Sequence, residues 1–544
     1  MVNVPLRRSL PIAALVALGT GLTAAYLYGP LGGATLGMID DHEILRFLGR
    51  DRSLSPMEIP GLLLSSTEVG QWGEVSRFRP VYYALRMLEA SVFGDAAAAW
   101  YVARIIATVL IALTFAALAL GAVRGWTTTR AGRLAAAAFC GFVALSVVTL
   151  PSLPDMIMRL GPSEIYVGIG LAILATGAAL AWRSSSSVVG WVLLPLGLII
   201  AVGSKEDVVI LVVPFIALYV VRFASMGRRP LVLALGAVAI AFAAFVALGV
   251  VLGNAHSGGD IYGQERTIRD AVLLIPGNVF ATIAAAALVV ALVTRRRVPS
   301  AGAGRGARLR ATLVANPALL LTLFGLYAIV GELYFYQHNA TPTGFEPGRY
   351  GFLTVLATIL SVSAATWSAV PRMPHGRLTR VALVFGLVVL VAVSPFGRQY
   401  LNAARGYRDA AAATAAGTQA FRASLDAGIR ALASEPDQQV LLIVQRPYDY
   451  ERVYALPQFL AFYGDVETVF VRVDVATEGT LPPYEAGLVR GLDEASKEGN
   501  LDQGWRISPI SQWDGDRATS CFVFAPLEAE AEVDDCDEVH VIAG

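Results

Sequence analysis

The chain has 544 residues, a formal net charge of +0, 15% charged residues and a mean hydropathy of +0.60. Soluble domains carry about 25% charged residues, so an ordinary soluble protein is excluded, and the neutral balance provides no basic surface for nucleic acid. The apolar residues fall in runs close to the roughly 20 that a helix needs to cross hydrocarbon.

The expected fold class is a polytopic α-helical membrane protein with a small C-terminal α/β domain. Apolar runs between breakers give eleven candidate spans, near 9–28, 97–121, 133–151, 164–182, 188–203, 207–222, 230–252, 272–294, 311–333, 350–370 and 379–396. The fifth is short and contains Pro195, so a tilted, kinked or partly inserted helix is expected there. Arg7 and Arg8 precede the first run as they would in a signal peptide. No small-residue cleavage site follows, so the run reads as a retained helix.

Arginines then set the orientation, because cytoplasmic loops carry the basic excess. Arg124, Arg130 and Arg133 lie between runs two and three, and Arg183 follows run four. Arg222, Arg228 and Arg229 follow run six, "RRRVPSAGAGRGARLR" follows run eight, and Arg372, Arg377 and Arg380 follow run ten. All share one side if the count is eleven. The N-terminus is then cytoplasmic, the C-terminus extracytoplasmic, and the protein a multi-pass component of the plasma membrane in contact with its lipid.

From about Arg398 the chain turns polar, which divides it into a membrane domain, 1–397, and an outer domain, 398–544. In the outer domain "RASLDAGIRALASE", "ERVYALPQFLAFYG" and "YEAGLVRGLDEASKEG" read as helices. "QQVLLIVQ", "ETVFVRVDV" and "SCFVFAP" read as strands, an alternation that suits an α/β layer. Cys140 sits alone in an apolar run, as a small core residue does. Cys521 and Cys536 are free to pair if their end of the chain meets an oxidising compartment.

On this topology the outer segments hold the polar chemistry. The first, from Gly29 to Trp100, contains "GMIDDHEILRF", in which Asp40 and Asp41 stand beside a membrane run, followed by His42 and Glu43. The next contains "PSLPDMIMRLGPSEIY". The turn after run five is "GSKEDV", and Lys205 within it is one of only two lysines, with Lys497. The later segments are "GNAHSGGDIYGQERTIRD" and "LYFYQHNATPTGFEPGRYGF", the latter with a sequon at Asn339. Each has a plain reading as well: a solvated turn for Asp40 and Asp41, bystanders for His42 and Glu43, and an internal ion pair for Lys205 with Glu206 or Asp207. Arg349 would then be a snorkelling helix-end residue, and Glu164 a helix cap. Glu332 and His338 have no assignment.

Four of these features in order resemble the GT-C-type integral membrane glycosyltransferases, which use polyprenyl-phosphate-linked sugars. They are the acidic pair Asp40–Asp41 after the first run and the stretch "WGEVSRFRPVYY" from Trp72, leading to "VFG" at Gly94. Then come "SKE" at 204–206 and "GRY" at 348–350. The likeness covers the membrane domain and not the C-terminal one. It implies a polyprenyl-phosphate-sugar donor and a glycan, lipid or protein acceptor. It assigns Asp40 as general base, with Asp41 orienting it, binding acceptor hydroxyls or holding a divalent cation such as Mg or Mn. Donor phosphate would be held by Lys205 and Arg349, with Arg79 assisting or organising the loop, and Glu206, Tyr350 and Glu164 would support them. A transporter or flippase of lipid-linked sugars, or a non-catalytic envelope scaffold, are the competing readings.

Overall fold

The computed structural model describes residues 10–123, 129–184, 187–223, 230–257, 267–296, 305–342, 344–345, 348–369, 395–434, 437–445, 450–466, 468–473, 500–502, 505–508, 512–525 and 536–543. The expected run 379–396 lies almost wholly outside the described residues, as do the expected helix "YEAGLVRGLDEASKEG", Arg7, Arg8, Arg124, Arg228, Arg229, Arg372, Arg377 and Arg380.

Among the described residues seven helical segments are long and apolar enough to cross a membrane: Leu10–Gly33, Ala97–Ala122, Arg130–Val148, Glu164–Arg183, Pro230–His256, Pro317–Phe335 and Gly348–Ala369. The protein is mostly helical and suited to a membrane. Three expected runs depart from this class. Val188–Ser204 is a 17-residue helix with Pro195 inside it. Run six opens as a 3-10 turn, Glu206–Leu211, and only then becomes the helix Val212–Phe223. Run eight is a pair, Ile268–Gly277 and Val279–Val293, bent by 76°. Each break follows a local cause: a short apolar stretch, buried charges at the run's start, and Pro276–Gly277 followed by Asn278, whose Oδ1 accepts the N–H groups of Phe280 and Ala281.

We label the helices that build the site α1 (Leu10–Tyr28), α2 (His42–Leu48), α3 (Pro80–Phe93), α4 (Ala97–Ala122), α5 (Glu164–Arg183), α6 (Val188–Ser204), α7 (Pro230–Ser257), α8 (Pro317–Phe335) and α9 (Phe352–Ala369). Large apolar side chains such as Leu15, Leu18 and Leu22 on α1 and Ile106 and Leu110 on α4 face outward, which hydrocarbon tolerates and water does not. Helix contacts cannot then rest on the hydrophobic effect alone and depend on close approach. The α5–α6 hairpin shows this: a Cβ on Gly197 would lie 2.3 Å from the backbone nitrogen of Leu174. Any side chain there would force the two helices apart.

The C-terminal region opens with a 40-residue helix, α10 (Pro395–Ser434), so the expected boundary at 397/398 falls near its start. A six-stranded sheet follows, built from β1 (Gln439–Val444), β2 (Thr468–Val473), β3 (Asn500–Asp502), β4 (Trp505–Ser508), β5 (Thr519–Phe524) and β6 (Glu538–Ile542). The spatial order is β3-β4-β2-β1-β5-β6, all parallel except the β3–β4 edge. β1 and β5 are buried at every residue, which explains their uninterrupted apolar sequence. The short strands β3, β4 and β6 carry too little pattern to have been read in advance. Helix α11 (Tyr450–Gly464) packs beside β1. Cys521 and Cys536 form a disulfide, and Cys140 is free and buried.

Candidate functional site

Helix ends converge at one place. α6, α7 and α8 arrive there with their C-terminal ends, α5 starts there, and the 3-10 turn Gly348–Gly351 leads from it into α9. They enclose a polar cavity of about 170 Å³, closed on one side by the first long loop. Asp40 and Glu43 from that loop, Arg79 at the start of α3, Glu164 of α5, Lys205, Glu206 and Asp207 after α6, and Arg349 and Tyr350 before α9 all line it. Residues separated by more than 300 positions in sequence thus share one wall.

The acidic turn is held with care. Asp40 has φ +67°, the left-handed region that costs a side-chain-bearing residue about 1–2 kcal/mol. Asp is among the types that accept it best. The Asp40 carbonyl accepts Arg86 Nη2 at 2.6 Å, and its half-exposed carboxylate lies 3.5 Å from Arg159. Gly161 lets that side chain in, since a Cβ there would come within 2.2 Å of the Asp40 Cβ. Asp41 behaves differently. It is buried and is not among the cavity-lining residues; its Oδ2 accepts the Gly37 N–H at 2.8 Å and its Oδ1 the Leu160 N–H at 3.2 Å. Burial pushes its carboxyl up to about 7, against the lowering effect of those N–H donors and of Arg86.

Each Asp41 oxygen thus serves a backbone donor, and the side chain ties residue 37 to residue 160 on either side of the Asp40 contact. Among the described residues no group of three or more His, Cys, Asp or Glu side chains is placed to hold a metal ion.

The cationic side also divides. Lys205 is buried, its Nζ 2.8 Å from Glu164 Oε1 and 3.7 Å from Asp207 Oδ2, with the rings of Tyr336 and Tyr350 at 4.8 and 5.4 Å. Glu206 does not pair with it. Glu206 takes Arg79 in a two-pronged bond, Nε to Oε2 at 2.7 Å and Nη2 to Oε1 at 2.8 Å, with Glu68 3.9 Å from the same guanidinium. Although burial raises the Glu206 carboxyl, the attached guanidinium holds it down at about 2. Arg79 therefore locks the first loop to the α6 junction, with one edge of its guanidinium committed to Glu206. Arg349 has no carboxylate ion pair among the described residues; its guanidinium lies 5.3 Å from the centre of the Tyr350 ring, and its backbone N–H donates to Asp155 Oδ2 at 3.3 Å.

Other groups were not singled out from sequence. Arg86, fully buried on α3, joins Glu43 at 2.6 Å, the Tyr82 hydroxyl and the Asp40 carbonyl. Arg104, buried on α4, donates to the carbonyls of Pro162 at 3.0 Å and Leu160 at 2.7 Å, which pins the segment carrying Gly161. Arg104 sits inside an apolar run, where a charged residue is costly unless partnered, whereas Arg86 lies in the long first outer segment and carries no such signal. Trp72 stacks on Phe245 of α7 at 4.8 Å and so docks the "WGEVS" stretch against the cavity's far wall. Glu332 takes the N–H groups of Leu353 at 3.2 Å and of Thr354, capping the first turn of α9 from α8. His42 Nδ1 bonds its own turn through the Met38 carbonyl at 3.1 Å. His338 stays unassigned.

Among the described lining residues the arrangement offers a half-exposed carboxylate, Asp40, tied to Arg159 at 3.5 Å, and a guanidinium, Arg349, with no carboxylate at ion-pair distance, and between them a rigid net of satisfied ion pairs. Neither a protein-family model nor a curated protein matches the chain.

Proposed function

We propose that the protein is an inverting glycosyltransferase of the GT-C type. It moves a sugar from a polyprenyl-phosphate donor to a cell-envelope acceptor at the outer face of the plasma membrane. The observation that carries this reading is the meeting of Asp40, Lys205 and Arg349–Tyr350 on one cavity at the ends of apolar helices. In the reaction, Asp40 takes the proton of the acceptor hydroxyl as that oxygen attacks the anomeric carbon. The bond from that carbon to the phosphate oxygen breaks on the opposite face, and the departing phosphate carries the electron pair towards Arg349, whose planar fork can grip two oxygens at once. Lys205, matched by Glu164 and Asp207, fixes the wall behind that phosphate.

Two features support the outward placement. Arg183, Arg222, Arg295 and Arg296 lie at helix ends remote from those that line the cavity, where a cytoplasmic basic excess belongs. The disulfide between Cys521 and Cys536 suits an oxidising compartment. The finer topology of eleven spans, with 1–397 as the catalytic domain and 398–544 outside, belongs to the same proposal. Gathering of the polar groups at one end of the helices favours transfer over a translocation path.

The test is transfer from a set of synthetic polyprenyl-phosphate sugars to envelope acceptors by the purified protein, with Asp40→Asn alongside. Transfer that Asp40→Asn abolishes, without loss of folding or membrane insertion, supports the reading; full activity of the variant removes Asp40 as base.

A further inference from the structure

The long helix α10 and the segment leading into the acidic turn meet directly, although 383 positions separate the two contacting threonines. The Thr35 N–H donates to Thr418 Oγ1 at 3.1 Å, and Thr35 Oγ1 donates to the Thr418 carbonyl at 2.6 Å. Next to this pair, Gln419 Nε2 donates to the Gly33 carbonyl at 2.6 Å. Gly37 backs onto the same place: a Cβ there would stand 3.3 Å from Thr418 Cγ2. The Gly37 N–H is the one that holds Asp41 Oδ2, and Asp41 Oδ1 in turn holds Leu160, the neighbour of Gly161 against which Asp40 rests. A short hydrogen-bonded path therefore runs from α10 through residues 35–37 to the carboxylate turn. At its far end is a backbone in the left-handed region, a conformation that persists only where its surroundings dictate it.

We propose that Thr418 is a positioning residue for Asp40, so that the C-terminal domain forms part of the scaffold of the cavity. Its hydroxyl does this by satisfying the Thr35 N–H while its methyl fixes the approach of Gly37. The inference goes beyond the glycosyltransferase reading, since it concerns where the carboxylate sits and not what it does.

The test uses the full chain carrying Asp40→Cys and Cys140→Ala, in which a maleimide reports access to position 40 without any assay of transfer. Adding Thr418→Val removes the hydroxyl and leaves the Thr35 N–H unpaired; the labelling rate at position 40 is expected to change by about five- to tenfold, the size of one hydrogen bond in a conformational balance. Thr418→Ser keeps the hydroxyl but not the methyl, and is expected to bring the rate most of the way back to the parental one. Arg408→Ala cuts a different tie of the same helix, Arg408 Nη1 to the Tyr26 carbonyl at 3.0 Å, and is expected to leave labelling unchanged. Should Thr418→Val not accumulate, Gly37→Ala presses on the same contact and must alter the rate too. An unchanged rate in Thr418→Val, or an equal change in Arg408→Ala, overturns the proposal. In the Asp40-containing protein, Thr418→Val should lower kcat and leave the donor KM in place. Absence of transfer from every variant would count against the proposed reaction and leave the labelling result standing.

Discussion

Asp40 and Asp41 are neighbours in sequence and opposites in situation, and so, across the cavity, are Arg349 and Lys205. Asp40 presents a half-exposed carboxylate to the cavity, whereas Asp41 is buried and divided between two backbone donors. Arg349 has no carboxylate ion pair among the described residues, whereas Lys205 is enclosed by Glu164, Asp207 and two tyrosine rings. In each couple one member is buried among close partners, while the other reaches the cavity with looser ties, Asp40 to Arg159 at 3.5 Å and Arg349 to the field of Glu164. A charge already matched inside the protein has little left to give a ligand, because exchanging partners returns the desolvation cost without new gain. The difference teaches that a cluster of charges in a membrane protein has to be sorted by pairing before any role is assigned.

The comparison can be broken hardest at Asp40. Asp40→Asn removes the proposed base and is expected to cut transfer by about 10²–10⁴-fold, while Asp41→Asn, which disturbs only the positioning of that base, should cost markedly less; comparable losses in both would erase the division of labour. Next in size is the enclosed lysine. Lys205→Met leaves Glu164 and Asp207 without their cation in a buried place and is expected to cost about 3–5 kcal/mol of stability, read by thermal unfolding in detergent. The double variant Lys205→Met/Glu164→Gln should recover a large part of that loss. Arg349→Met, by contrast, should leave unfolding nearly unchanged and weaken donor binding by about tenfold, the share of one charge-assisted contact to phosphate. A destabilisation equal to that of Lys205→Met would place Arg349 with the structural charges.

The last test concerns pH. Asp41 titrates near 7 in the folded protein and at its ordinary 3.8 when unfolded, because burial penalises the ionised form. The unfolded chain therefore gives up this proton first, and the stability it confers is complete below pH 3.8 and is lost as pH rises through about 7. Asp41→Asn should flatten that part of a plot of melting temperature against pH. Glu206 has the opposite sign: its carboxyl is held at about 2, so its contribution is present above its ordinary 4.5 and lost as pH falls towards 2. A melting profile of Asp41→Asn that still falls between pH 3.8 and about 7 would assign the effect elsewhere.

Some of this was legible from residue order. The runs near 9–28, 164–182 and 311–333, which contain the helices Leu10–Tyr28, Glu164–Arg183 and Pro317–Phe335 to within a residue or two at their C-terminal ends, are apparent because a helix in hydrocarbon must be apolar along its whole length. The strands β1 and β5 are apparent because they are buried on both faces. What escaped was of two kinds. Arg104 is a charge inside an apolar run, whose cost alone demands partners, whereas Arg86 lies in the polar first segment and gives no such sign. The partner choice of Glu206 was not visible at all: its neighbour Lys205 is adjacent in sequence, yet the 3-10 turn sends the two side chains to different cations and anions.

By itself, the sequence determined that this chain belongs with membranes, that charged groups collect beside its helix ends, and that a separate α/β layer closes its C-terminal part. Those properties follow from local chemistry, since hydropathy and periodicity act over a few turns of chain. Tertiary structure alone decided which charges are consumed and which stay available, and that α10 braces the acidic turn. Such pairings depend on distances between residues far apart in the chain: the hydrogen bonds that select them need contact at about 3 Å, and the Coulomb attraction weakens as the separation grows.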